Sequence, residues 1–112
     1  MQYRGIVTGG SRKAALLGYP TANILLRDTE VSGSYVALVS VEGKKYPAVA
    51  YADQQRHILE AHLLNFSGDL YGKEIAVKLE KKLRDTQSFE TDEELQKAVV
   101  NDVAQAHAYF TL

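Results

Sequence analysis

Thr21 and Asn23 stand in a short stiff turn, Gly18-Tyr19-Pro20-Thr21-Ala22-Asn23, that leads straight into the apolar run Ile24-Leu25-Leu26. Pro20 fixes its own φ and pushes Tyr19 out of the helical region. The two side-chain oxygens presented there can meet a hard cation or a phosphate, which want oxygen ligands and well-placed donors. Turns of this composition also arise for purely local reasons. Upstream, Gly9-Gly10-Ser11-Arg12-Lys13 joins backbone freedom to two positive charges. Gly9 and Gly10 permit close backbone approach to a phosphate, and Arg12 and Lys13 can neutralise it. The same stretch also reads as a surface hairpin with solvated basic residues. Phosphoryl transfer further needs a group that orients the attacking hydroxyl. Glu60 lies among Ile58, Leu59, Leu63 and Leu64, and a carboxylate there either points to solvent or is held inside a polar cavity. His62, two residues on, shares its strand face and reads as a structural histidine. His57 and His107 are too scattered to suggest zinc. The Walker pattern Gly-x-x-x-x-Gly-Lys-Ser/Thr is absent, so a nucleotide site here belongs to another fold class.

The elements that must carry these residues are mostly strands. Residues 3–8 and 21–26 read as the first two. Residues 34–41, Ser-Tyr-Val-Ala-Leu-Val-Ser-Val, give a third after Gly33. The tight pair Glu42-Gly43 predicts a hairpin into a strand over 45–51. Residues 57–65 are ambiguous by periodicity, but Ser67-Gly68-Asp69 behind them and a β run at 74–79 favour a strand. The C-terminal segment differs. Thr91 and Glu94 form a capping box, acidic residues crowd the helix start, and Leu95, Ala98, Val99, Val103, Ala106 and Phe110 recur at helical spacing. Five or six strands and one amphipathic helix close most economically into a small barrel, with the helix over one face or mouth.

The 112 residues suffice for one modest core, so residues 1–112 are expected to form one domain. A hydrophobic share of 46%, a charged share of 24% and a net charge of −1 are ordinary for a folded protein and point to no nucleic-acid or acidic-membrane partner. The chain has no cysteine, which removes disulfides, thiolate zinc sites and cysteine nucleophiles. No signal pattern opens the chain, and no apolar run approaches the ~18 residues of a membrane span. A cytoplasmic monomer is expected.

The register Gly5-x-Val7-x-x-Gly10, seven further residues, then Gly18 to Asn23 resembles the opening of the riboflavin kinase family. That family includes the kinase half of bacterial bifunctional FAD synthetases. The likeness continues through Gly33-Ser34-Tyr35-Val36-Ala37, Leu59-Glu60-Ala61-His62-Leu63-Leu64 and Asp69-Leu70-Tyr71-Gly72-Lys73-Glu74-Ile75, and ends with Lys82-Leu83-Arg84-Asp85, Phe89 and the acidic helix start. The resemblance implies a six-stranded antiparallel, Greek-key-like barrel with a C-terminal helix. It implies transfer of the γ-phosphate of ATP to the 5′-hydroxyl of riboflavin with Mg²⁺, giving FMN and ADP. Thr21 is then a metal ligand, and Asn23 helps hold the metal and the nucleotide phosphates. Glu60 is then the base for the riboflavin hydroxyl, and the region of Arg84 and Phe89 a flap over the flavin. By residue type alone, Arg84 is a strand-end charge and Phe89 a staple against Leu95 or its neighbours. Tyr71 is expected in the barrel wall, and Gly72 at an unusual backbone angle.

Two departures from the family pattern bear on activity. Ala14 and Ala15 stand where the family usually carries Gly-Arg, so a Cβ replaces backbone freedom and a basic group is lost. The segment from Ala50 to Leu59 is several residues shorter than the family's and lacks its Asn-Ile-Gly signature. A riboflavin kinase is therefore expected first. A non-catalytic flavin- or nucleotide-binding module of the same fold is the alternative, and a kinase for another small hydroxyl compound the third reading. Because the chain starts almost at its first strand and leaves no room for an adenylyltransferase half, a stand-alone kinase or an excised kinase domain is expected.

Overall fold

A computed structural model describes residues 1–8, 21–66 and 68–111. In chain order these residues form β1 (Gln2–Ile6), β2 (Thr21–Leu25), β3 (Gly33–Val41), β4 (Lys44–Asp53), β5 (Ile58–Leu63), β6 (Glu74–Arg84) and helix α1 (Asp92–Phe110). Each expected strand is present, and one helix follows them. The strands make one sheet in the order β1-β6-β3-β4-β5-β2, with every neighbouring pair antiparallel. β3, β4 and β5 form a meander and β6 returns beside β3, which is the Greek-key connection.

Local chemistry accounts for the turns. Glu42 and Gly43 both have positive φ, 49° and 81°, as a two-residue hairpin matched to strand twist requires. β5 is bracketed by His57 and Asn65, with φ of 55° and 57°. Those left-handed residues lie outside the extended run on both sides, and pairing with β2 and β4 makes the apolar segment a strand. β6 runs to Arg84, past the end of its β-branched stretch, because its charged second half pairs with β3. Two register shifts in that pairing, between Ser34 and Tyr35 and between Val36 and Ala37, add the local bend that a curling sheet needs.

The sheet closes nearly into a barrel. The Thr8 N–H donates to the Asn23 carbonyl at 3.0 Å, linking the chain just past β1 to β2. A Cβ placed on Gly5 would lie 3.1 Å from Ile24 Cβ, so the two edge strands approach closely there. At the far end of β1 the Tyr3 hydroxyl donates to Asp28 Oδ2 at 2.7 Å. This bond holds the Asp28 carboxyl below its ordinary range, with help from the Glu30 N–H. Burial first, and then Asp28, pushes the Tyr3 phenol up.

Alternation along the strands separates two faces. Ala22, Ile24, Ala37, Val39, Ala48, Ala50, Ala52, Leu59, Ala61, Ile75 and Val77 are buried together inside the barrel. The many alanines let opposing walls come close around a few large side chains. A second cluster lies outside the wall, where Val36, Val49 and Leu64 meet Ala106 of α1, flanked by Leu83, Val103 and Phe110. The helix therefore covers a face of the barrel over β3 and β4. The Thr91 hydroxyl accepts from the Glu94 N–H at 3.2 Å, and the Glu94 carboxylate reaches back to the Glu90 N–H. Tyr71 departs from expectation. It is 69% exposed rather than part of the wall, because it sits in the turn before β6 instead of on a strand. Gly72 has the positive φ expected of it, 80°. Among the described residues no helix is long and apolar enough to cross a membrane.

Candidate active site

The candidate residues sit on the outer face of the barrel wall, in rows that the sheet register defines. One row crosses five strands: Arg84 pairs with Ser34, Ser34 with Tyr51, Tyr51 with Glu60, and Glu60 with Asn23. The next row runs Val36, Val49, His62, Thr21. At ~4.8 Å per strand, Glu60 and Asn23 are immediate neighbours, whereas Arg84 lies on the order of 14 Å from Glu60. That Glu60 and His62 share a face was legible along their strand. Which residues stand opposite each other was not.

Glu60 resolves in favour of a pocket rather than open solvent, with its side chain 13% exposed and that of His62 8% exposed. Their Oε1 and Nε2 atoms are 3.2 Å apart, so His62 holds one carboxylate oxygen. Asn23, 5% exposed, has a buried Oδ1 with no hydrogen-bond partner among the described residues. A buried acceptor left this way costs ~1–3 kcal/mol, and a ligand bringing positive charge or donors offsets that. With the Thr21 hydroxyl one row away on the same face, these oxygens suit a divalent cation, and a nucleotide phosphate through it. Gly10, Arg12 and Lys13, with Ala14, Ala15 and Gly18 to Pro20, lie outside the described residues.

A cavity of ≈ 240 Å³ opens between this wall and the helix. Ser34, Tyr51, Glu60 and His62 line the barrel side, and Phe89, Leu95, Val99 and Asp102 the helix side, with Arg84 among its lining residues. Phe89 borders the cavity, as Leu95 does, and lies under the Arg84 guanidinium, 5.5 Å from ring centroid to Cζ. The Arg84 backbone is fixed as well. Gly33, at φ +87°, packs so closely that an added Cβ would fall 2.1 Å from the Arg84 carbonyl oxygen.

Two residues of this site went unread in the sequence. Asp102 is 2% exposed, and it falls in register with Leu95, Val99 and Ala106, so a carboxylate inside the apolar helical stripe was the available signal. Tyr51 sits where β4 alternates small interior alanines with larger outward residues, and it stands beside Glu60.

A shielded carboxylate beside a histidine thus lies next to an unsatisfied buried amide oxygen, on the wall of a partly apolar cavity. The family model for riboflavin kinase (Flavokinase) matches residues 1–110. The chain belongs to the riboflavin kinase family. It is 39% identical over 111 residues to the bifunctional riboflavin kinase/FMN adenylyltransferase of Mycoplasma pneumoniae, covering 95% of this chain and 41% of that protein. It is 40% identical over 114 residues to the protein of the same description from Pseudomonas fluorescens, covering 93% of this chain and 36% of that one. The chain thus spans well under half the length of these two relatives. Among solved structures, riboflavin kinase from Trypanosoma brucei superposes with a TM-score of 0.65 at 27% identity, over 96% of this chain and 78% of that one. A protein described as a macrolide-efflux protein from Streptococcus pneumoniae superposes at 0.79, also with 27% identity, over 95% of this chain and 36% of that one. The barrel and its helix are the riboflavin kinase fold.

Proposed function

We propose that this riboflavin kinase family member transfers the γ-phosphate of ATP to the 5′-hydroxyl of riboflavin, forming FMN and ADP. The observation that carries the reading is the placement of Glu60, shielded, held by His62 and directly opposite Asn23 on the wall of the cavity. In this reading Glu60 accepts the proton of the 5′-hydroxyl as its oxygen bonds to the γ-phosphorus and the bond from that phosphorus to the bridging oxygen of ADP breaks. His62 keeps the carboxylate aimed by occupying Oε1. Thr21 and Asn23 hold the phosphate end, and with it Mg²⁺. The cation, when bound, neutralises charge on the phosphates.

The cavity is smaller than the ~300–1,000 Å³ of a typical ligand pocket, so it takes the flat ring of the flavin. The ribityl arm then runs along the row toward Glu60 and Asn23. Arg84 and Phe89 border the ring end, and Gly10, Arg12 and Lys13 are assigned to the nucleotide phosphates by their charge and backbone freedom. The proposal takes the protein as a cytoplasmic monomer.

The test compares ATP consumption with riboflavin and with lumiflavin, which has the ring but no ribityl chain. Riboflavin-dependent ADP formation that lumiflavin does not elicit supports the assignment. Flavin binding without any ADP formation would replace the kinase with a binding module of the same fold.

A further inference from the structure

Arg84 lines the cavity in a heavily built setting, and Asp102 is what builds it. The Arg84 Nε–H donates to both Asp102 carboxylate oxygens at 3.2 Å, and Nη2 donates to Oδ2 at 2.9 Å. This is a side-on pair that fixes the plane of the guanidinium as well as its position. Asp102 gains little as a purely structural residue, since an apolar side chain in the helical stripe would cover the wall without the cost of desolvating a charge. The pair leaves one edge of the guanidinium uncommitted. Nη1 is buried and has no hydrogen-bond partner among the described residues, and Arg84 lines the cavity.

We infer that Asp102 is a positioning residue for flavin recognition. It holds Arg84 so that Nη1 donates to an acceptor on the flavin ring, and it links α1 to the occupancy of the site. Phe89 beneath the guanidinium and Gly33 against the Arg84 backbone fix the remaining freedoms of the same side chain. The inference rests on the proposed kinase reading, because it needs a flavin at that end of the cavity.

The experiment measures KM for riboflavin and for ATP separately, with kcat and Tm, in wild type, Asp102→Asn, Asp102→Glu, Arg84→Lys and the Asp102→Asn/Arg84→Lys double variant. Losing one charge-assisted bond predicts a rise in riboflavin KM on the order of ten-fold in Asp102→Asn, with ATP KM unchanged. Arg84→Lys, which keeps the charge but not the fork, gives a similar rise. The double variant is no worse than either single one, because both remove one unit. Asp102→Glu recovers part of the loss, and it carries the comparison should Asp102→Asn fail to fold. A lowered Tm with unchanged riboflavin KM, or additive effects in the double variant, overturns the inference while leaving the kinase reading intact. A wild type that neither binds nor phosphorylates riboflavin overturns both, and that failure shows in the unmodified protein.

Discussion

Replacing Glu60 by Gln removes one capacity and little else. The amide is nearly isosteric with the carboxylate, and its oxygen can still meet His62 Nε2, which lies 3.2 Å from Oε1. Glu60 lies on a central stretch of β5, paired through the backbone to Asn23 on one side and Tyr51 on the other, so the ladder is indifferent to the change. What is lost is a group able to take a proton at neutral pH. A general base contributes ~10²–10⁴-fold, or roughly 3–5 kcal/mol of barrier. Shielding by the cavity argues for the upper part of that range, because water has little room to substitute as base. FMN formation, followed by reversed-phase chromatography with flavin fluorescence, should therefore fall by ~10³–10⁴-fold, while riboflavin and ATP affinities from calorimetry stay within about two-fold. An active wild type with an equally active Glu60→Gln would refute the assignment of the base. A loss of riboflavin affinity matching the loss of rate would show that Glu60 binds rather than catalyses.

Thr21→Ala should weaken ATP binding in the presence of Mg²⁺ on the order of ten-fold with unchanged Tm, and Thr21→Ser should be milder; equal ATP affinity in all three removes the proposed role. Gly33→Ala should destabilise the fold by more than about 2 kcal/mol in urea unfolding, because its Cβ would meet the Arg84 carbonyl at 2.1 Å; a near-neutral result contradicts the close packing of β3 on the end of β6. Tyr3→Phe tests the pin between β1 and the chain after β2. The depressed Asp28 pKa means that its contribution is present above the unfolded carboxylate value near ~4 and is lost as pH falls through the lower folded value. The Tm gap between wild type and Tyr3→Phe should be full near neutral pH and close in acid, and a gap that persists unchanged in acid contradicts the assignment.

Much of the architecture was legible because it is written in local chemistry. The capping box at Thr91, the pair Glu42-Gly43 and the β-branched runs each specify their element without help from the rest of the chain. The end of β6 was not legible, since Glu80 to Arg84 is charged and becomes strand only by pairing with β3. Tyr71 was misplaced because its aromatic ring suggested a wall position, whereas its place in a turn exposes it. In the site, Glu60 with His62 was readable as a pair sharing a face, and Thr21 with Asn23 as neighbours presented from one stiff turn. Their meeting across β2 and β5 depends on register, which no single strand encodes. Asp102 shows the opposite lesson. It was visible as a carboxylate in an apolar stripe, but its meaning required its partner Arg84, eighteen residues away in the chain.

Phosphorylation of riboflavin on this wall of residues is the proposed reaction. Phosphorus NMR of the wild-type protein with riboflavin, ATP and Mg²⁺ tests it most directly, because the phosphate monoester of FMN is resolved from inorganic phosphate and from the signals of ATP and ADP. FMN monoester should grow in step with ADP while inorganic phosphate stays flat. ADP appearing with inorganic phosphate alone, or no change in the spectrum while riboflavin remains bound, would contradict it.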